Sequence, residues 1–252
     1  MNGDKVIVHR FAIRAHDLDA TAMASVTAFI RFLENQRWHA LASDGYLSSF
    51  FDNGVMRSQI IELNEQISFN EEIEVVMWLS KVGRTSFNMG HTLKHKDTGA
   101  IFGRAAVTVV ALTLDGLPKE VPSGVRQYVS DQETLEIPRL KLSPQPGAWS
   151  HSFPVRFTDL DLLQHVNESR YVEYVEDARH ACARAGGYGL DSAPATARIR
   201  RLAVSYEGQA RLGDTLRVTT WAVDDRPGSY EFEMRTEPQG ALMALARAEV
   251  ED

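Results

Sequence analysis

Residues 156 to 179 read RFTDLDLLQHVNESRYVEYVEDAR, and the stretch changes character halfway along. Its first half sets two carboxylates, Asp159 and Asp161, ahead of His165 and Asn167. In its second half Tyr171, Val175 and Ala178, followed by Cys182, recur at helical spacing, while Glu173, Glu176, Asp177 and Arg179 fall mostly on other faces. The pattern predicts a helix over about 164 to 185, ended by Gly186-Gly187, with one buried face. An acid, an imidazole and an amide therefore crowd the entrance of that helix.

Such an entrance has a definite chemistry. The first helical turn carries N–H groups without helical partners and the positive end of the macrodipole, so it can polarise a carbonyl. A carboxylate there can attack a carbonyl or act as general base on water. An imidazole can orient that carboxylate, and an amide can hold water or substrate. Acyl transfer to water suits this set, and a thioester suits it better than an amide, because a thiolate leaves without a strong general acid.

The same pattern occurs earlier in the chain. Residues 16 to 37, HDLDATAMASVTAFIRFLENQR, align with 158 to 179: Asp17 with Asp159, Asp19 with Asp161, Phe29 with Tyr171, Glu34 with Glu176, Arg37 with Arg179. The alignment continues with small shifts through Gln66 and Gln209, Trp78 and Trp221, Phe87 and Phe232, and Gly99 and Gly240. Order and near-constant spacing over so many positions identify a tandem duplication. Each half reads as strand, helix, then three to four strands. In the first these are 6–14, 23–42, 56–68, 72–81, 84–96 and 100–114; in the second, 150–157, 164–185, 197–208, 214–223, 229–235 and 241–250. The fold class expected is α+β, one long helix against an antiparallel sheet, twice. The domains are 1–117 and 148–252, joined by a proline-rich linker, 118–147, that crosses in extended form apart from a short helix near 123 to 131.

Composition sets limits. The 252 residues, 44% hydrophobic and 24% charged, describe a globular chain, and a net charge of −7 gives no general attraction to nucleic acid. No apolar run approaches the roughly 20 residues of a membrane span, and the N-terminus lacks the apolar core of a signal peptide. The single cysteine, Cys182, excludes an intrachain disulfide. A cytoplasmic protein without cofactor or metal is expected. His91 and His95 are four apart, but GHTLKHKDTG reads as a strand, which holds them roughly 13 Å apart.

The motif DLDLLQHVNESRYVEYVEDAR resembles the signature of hotdog-fold thioesterases, the group of the acyl-acyl-carrier-protein thioesterases and the 4-hydroxybenzoyl-CoA thioesterase-like enzymes. The resemblance implies a tandem double hotdog whose halves pack as a pseudo-dimer, with a further homodimer left open. By position it makes Asp161 the catalytic aspartate, His165 the histidine of the His-Val-Asn element, and Asn167 its asparagine. Two departures stand out: Leu163 occupies the middle of the plant-type Asp-x-Asn-x-His, and Glu168 replaces a second asparagine. Gln209 falls where carrier-protein enzymes have a strand glutamate; an amide there can hold water but cannot be a base.

Each residue also has a plainer role to weigh. Asp159 and Asp161 could only complement a helix dipole, His165 could bond a carbonyl at the core edge, and Asn167 could only cap. At the positions of His165 and Asn167 the first half has Met23 and Ser25, so it reads as a degenerate site in which Met23 lines an acyl-chain tunnel or simply the core, with Asp19 a second candidate. Arg198, with Arg200 and Arg201, forms a basic run suited to coenzyme A phosphates or an acidic carrier protein, or to a solvated strand edge. The expected function is hydrolysis of acyl-acyl-carrier-protein or acyl-CoA thioesters. The alternatives are a non-catalytic acyl or carrier-protein binding module and, with a poorer motif match, a hotdog hydratase.

Overall fold

In a computed structural model that describes residues 6–43, 54–113, 115–189 and 193–251, the chain divides into two compact units, 1–137 and 138–252. The first unit opens with β1 (Val6–Ala12) and a 3-10 turn (Ala15–Asp17), which lead into α1 (Val26–Ser43). Four strands follow: β2 (Gly54–Leu63), β3 (Glu72–Val82), β4 (Ser86–His95) and β5 (Ile101–Ala111). They pair antiparallel in the order β1-β3-β4-β5-β2. The second unit repeats the plan with β6 (Trp149–Pro154), a 3-10 turn (Phe157–Asp159), α2 (Glu168–Arg184), β7 (Ile199–Tyr206), β8 (Thr215–Ala222), β9 (Ser229–Glu237) and β10 (Leu242–Val250). Its antiparallel order, β6-β8-β9-β10-β7, matches the first. Of the strand expected over 100–114, Leu114 lies outside the described residues.

Each helix lies against the first two strands of its own sheet, α1 against β1 and β3, α2 against β6 and β8. The periodicity explains this docking. Tyr171, Val175, Ala178 and Cys182 are all buried, together with Val172 and Tyr174, and Leu216, Val218, Phe232 and Met234 of the sheet are buried with them. In the first unit Phe29, Ile30 and Leu33 do the same beside Ile60, Ile61, Ile73 and Val75. Each such large side chain contributes about 1.5–3 kcal/mol on burial. A buried amide adds register: Gln36 Nε2 donates to Ile7 O at 2.8 Å and Val75 O at 2.7 Å, tying α1 to both β1 and β3. Among the described residues no helix is long and apolar enough to cross a membrane.

The proline-rich segment is divided between the units. Its first part folds onto the first sheet: Val121 and Val125 are buried in a cluster with Met77, Phe87, Met89 and Val107, and Ser123–Tyr128 forms a 3-10 helix. Beyond it, Thr134 Oγ1 accepts from the Trp78 indole at 3.0 Å. That indole lies over Gly90, where a β-carbon would come within 2.5 Å of the ring, so only glycine leaves room at this crossing. The expectation for 118–147 is an extended crossing with a short helix near 123 to 131; a 3-10 helix forms at Ser123–Tyr128, Val121 and Val125 join the core of the first sheet, and the first compact unit runs to 137.

Candidate active site

The loop between β6 and α2 is pinned by one buried carboxylate. Asp159 has no exposed surface, and it accepts from the Arg156 backbone N–H at 2.8 Å, from Arg156 Nε and Nη2 at 3.1 and 2.9 Å, and from the Tyr174 hydroxyl at 2.9 Å. Burial pushes its pKa up, but the bonds from Arg156 and Tyr174 outweigh this and hold it below the usual carboxylate range. Asp159 O also accepts the Asn167 N–H at 2.8 Å, which closes the loop at the helix start. Asp159 is therefore a structural anchor, committed to its own loop.

Asp161 is placed by that anchor at the half-exposed side. Its N–H donates to His165 O at 2.8 Å, and its O accepts from Gln164 N–H at 3.1 Å, with Gln164 in the left-handed region at φ 60°. Its carboxylate Oδ1 accepts from the backbone N–H groups of Leu163 at 2.8 Å and His165 at 3.3 Å. Both of these bonds use Oδ1. His165 is half-buried, and its Nε2 accepts from Arg211 Nη2 at 3.2 Å. Burial, then the Arg211 guanidinium, lowers its pKa, while the Asp161 carboxylate works in the opposite direction.

Asn167 is the N-cap of α2: its Oδ1 accepts from Ser169 N–H at 2.8 Å and Ser169 Oγ at 2.7 Å. The amides at the helix entrance are largely committed. Val166 N–H donates to Ala210 O, Asn167 N–H to Asp159 O, and Arg170 N–H to Asn167 O. The helix end thus offers its dipole more than a row of open donors.

The loop after β7 meets this entrance. Besides accepting from Val166, Ala210 donates its N–H to the buried Tyr171 hydroxyl at 3.1 Å, and burial pushes the Tyr171 pKa up to about 12. Gln209, just past the strand expected over 197–208, lies exposed in this loop beside Ala210. Arg211 follows and reaches His165; as a single arginine in a loop it carried no sequence signal that set it apart. Arg198 is not brought to the site. It precedes β7, whose eight residues span roughly 26 Å, and Arg211 lies beyond the opposite end of that strand. Arg200 and Arg201, beside it, pair with Glu249 at 3.2 and 3.3 Å. Cys182 is buried at the far end of α2, and burial raises its thiol pKa to about 11. His91 and His95 lie on β4 in separate surroundings, His91 fully buried and His95 against Glu65 at 3.1 Å.

The first repeat reproduces this frame without its imidazole. Asp17 is buried and accepts from Arg14 N–H, Nε and Nη2, as Asp159 does from Arg156. Asp19 N–H donates to Met23 O at 2.8 Å, Ser25 N–H to Asp17 O at 3.0 Å, and Ala24 N–H to Ile67 O at 2.8 Å, and Ala22 takes φ 64° where Gln164 takes 60°. Met23, half-buried, bridges to Ser68, so Met23 and Ser68 stand where His165 and Arg211 stand.

A helix against a five-stranded antiparallel sheet, with a carboxylate and an imidazole at the helix entrance, places the chain in the hotdog-fold class. Residues 143–251 match the family described as the acyl-ACP thioesterase C-terminal domain, and residues 13–129 match the thioesterase-like superfamily. The second half thus resembles an acyl-ACP thioesterase C-terminal domain and the first half a thioesterase-like domain. It is 23% identical over 191 residues to a chloroplastic palmitoyl-acyl carrier protein thioesterase of Arabidopsis thaliana, a match covering 68% of the chain and 46% of that protein. The chain thus spans about half the length of that curated relative. Two solved structures share the fold with a TM-score of 0.81 at 18% identity: an acyl-ACP thioesterase from Bacteroides thetaiotaomicron, covering 98% of each chain, and the 12:0-ACP thioesterase from Umbellularia californica, covering 100% of this chain and 98% of that one.

Proposed function

We propose that this protein hydrolyses acyl thioesters, those of acyl-carrier protein before those of coenzyme A, to the free acid and the thiol. The observation that supports the reading is the placement, in one loop at the entrance of α2, of the Asp161 carboxylate, which accepts from the His165 backbone N–H, beside a half-buried His165 imidazole whose pKa burial and Arg211 hold below its usual value. Asp161 acts on water or directly on the acyl carbon, His165 assists, and the α2 dipole favours the developing negative charge on the carbonyl oxygen. Asn167 keeps the helix start in place through its cap. The carrier-protein preference is supported by the names of the relatives and by the family matched over 143–251.

The reading includes a tandem of two hotdogs, 1–117 and 148–252, that form an internal pseudo-dimer, with catalysis in the second. Its support is the shared hydrogen-bonding frame, of which only the second copy has the imidazole. The lone buried Cys182 suits a reducing, cytoplasmic setting.

The test is thiol release from a panel of acyl-carrier-protein and acyl-CoA thioesters by the wild type, Asp161→Asn and His165→Ala. We expect turnover in the wild type and a loss of about 100-fold or more in kcat/KM for Asp161→Asn. Turnover undiminished by Asp161→Asn moves the site elsewhere; binding of acyl-pantetheine compounds without turnover makes the protein a binding module.

A further inference from the structure

The mouth of the candidate site holds one cation that no motif accounts for. Arg211 is exposed, its backbone N–H donates to Asp214 Oδ2 at 2.8 Å, and its Nη2 lies 3.2 Å from His165 Nε2. A guanidinium carries only donors and keeps its proton throughout the working pH range. The nitrogen facing it must therefore be an acceptor, because an imidazole protonated on Nε2 would set donor against donor. We propose that Arg211 is a positioning residue that holds His165 neutral, with its proton on Nδ1, so that the imidazole meets the substrate side as a hydrogen-bond donor and Asp161 is left as the group that acts on water or the acyl carbon.

Two further observations point the same way. The groups around the imidazole compete: Arg211 disfavours the imidazolium, whereas Asp161 favours it. Asp214 is engaged with the Arg211 backbone, and the buried Tyr171 hydroxyl stays neutral and bonded to Ala210. Loss of the guanidinium removes the like charge that disfavours the imidazolium and leaves the Asp161 charge that favours it. The internal repeat is a second, independent guide. Where the first copy has Met23 in place of the histidine, it has Ser68 in place of the arginine, on a frame with the same backbone bonds. The arginine occurs in the copy that has an imidazole to hold.

The inference rests on the thioesterase reading for its kinetic test but not for its spectroscopic one. Nitrogen-15 imidazole shifts of His165 in the full chain, recorded from pH 4 to 8 for the wild type, Arg211→Met and Arg211→Lys, report tautomer and charge directly. We expect the wild type to carry its proton on Nδ1. Arg211→Met should titrate about half to one unit higher, since a like charge nearby is lost and solvent screens part of the effect. Arg211→Lys should stay within a few tenths of a unit of the wild type. In thioester hydrolysis the acidic limb of kcat should move upward by the same amount in Arg211→Met, with KM changed less than twofold. A wild-type proton on Nε2, or a His165 titration unmoved in Arg211→Met, overturns the proposal whether or not the protein turns over thioesters. A shifted titration with no turnover by any form keeps the Arg211–His165 coupling and rejects the thioesterase reading instead.

Discussion

Asp159 and Asp161 are two residues apart and have opposite environments. Asp159 is sealed by four hydrogen bonds, whereas Asp161 is held by two backbone amides at the half-exposed rim. Because the folded pKa of Asp159 is depressed, its contribution to stability is present in full above the unfolded carboxylate value of about 3.9 and is lost as pH falls through the folded value. Asp159→Ala should therefore cost about 3 kcal/mol in urea unfolding at pH 7, and this difference should shrink well below pH 4. A cost that is the same at pH 7 and pH 3 would show that the charge is not its source. The sequence already placed both aspartates at a helix entrance with His165 and Asn167. It left open which carboxylate was the anchor, since that depends on Tyr174, fifteen residues along, and on complete burial.

The helix α2 was legible as an element because a buried face recurs every turn, and its structure buries the four predicted positions. Its start was less legible: the helix begins at Glu168, four residues later than expected, because residues 160–167 close on themselves through Asp161, Gln164 and His165 before the cap. Asn167→Ala should destabilise the protein by about 1 kcal/mol in thermal or urea unfolding, while Asn167→Asp, which keeps an acceptor for Ser169, should lie within about 0.5 kcal/mol of the wild type. Equal destabilisation by both would mean that the cap is not what Asn167 contributes. Arg179, which the periodicity sets mostly off the buried face, is buried, and its Nη2 donates to the carbonyls of Ala195 and Ala197 at 2.7 and 2.5 Å. This explains an arginine on the apolar side of a helix: it fastens the segment that leads into β7.

Across the whole molecule the two units share an order of elements and a set of loop hydrogen bonds, yet differ where the second has His165 and Arg211 and the first Met23 and Ser68. If catalysis belongs to the second copy, Asp19→Asn should leave thioester hydrolysis within about twofold of the wild type, while Asp161→Asn abolishes most of it. A loss in Asp19→Asn comparable to that in Asp161→Asn would assign activity to both copies. The sequence by itself determined the repeated pattern of its two halves, the element order of each half, the buried face of α2 and the loop that bears Asp161 and His165. All of these are local or periodic, and a linear pattern records them. Only the tertiary structure decided that Asp159 is an anchor, that Val121 and Val125 join the first core, that Arg198 and Arg211 flank opposite ends of β7, and that Arg211 meets His165. These depend on contacts between residues far apart in the chain, 46 apart for Arg211 and His165, and no spacing rule encodes such a meeting before the loops have packed.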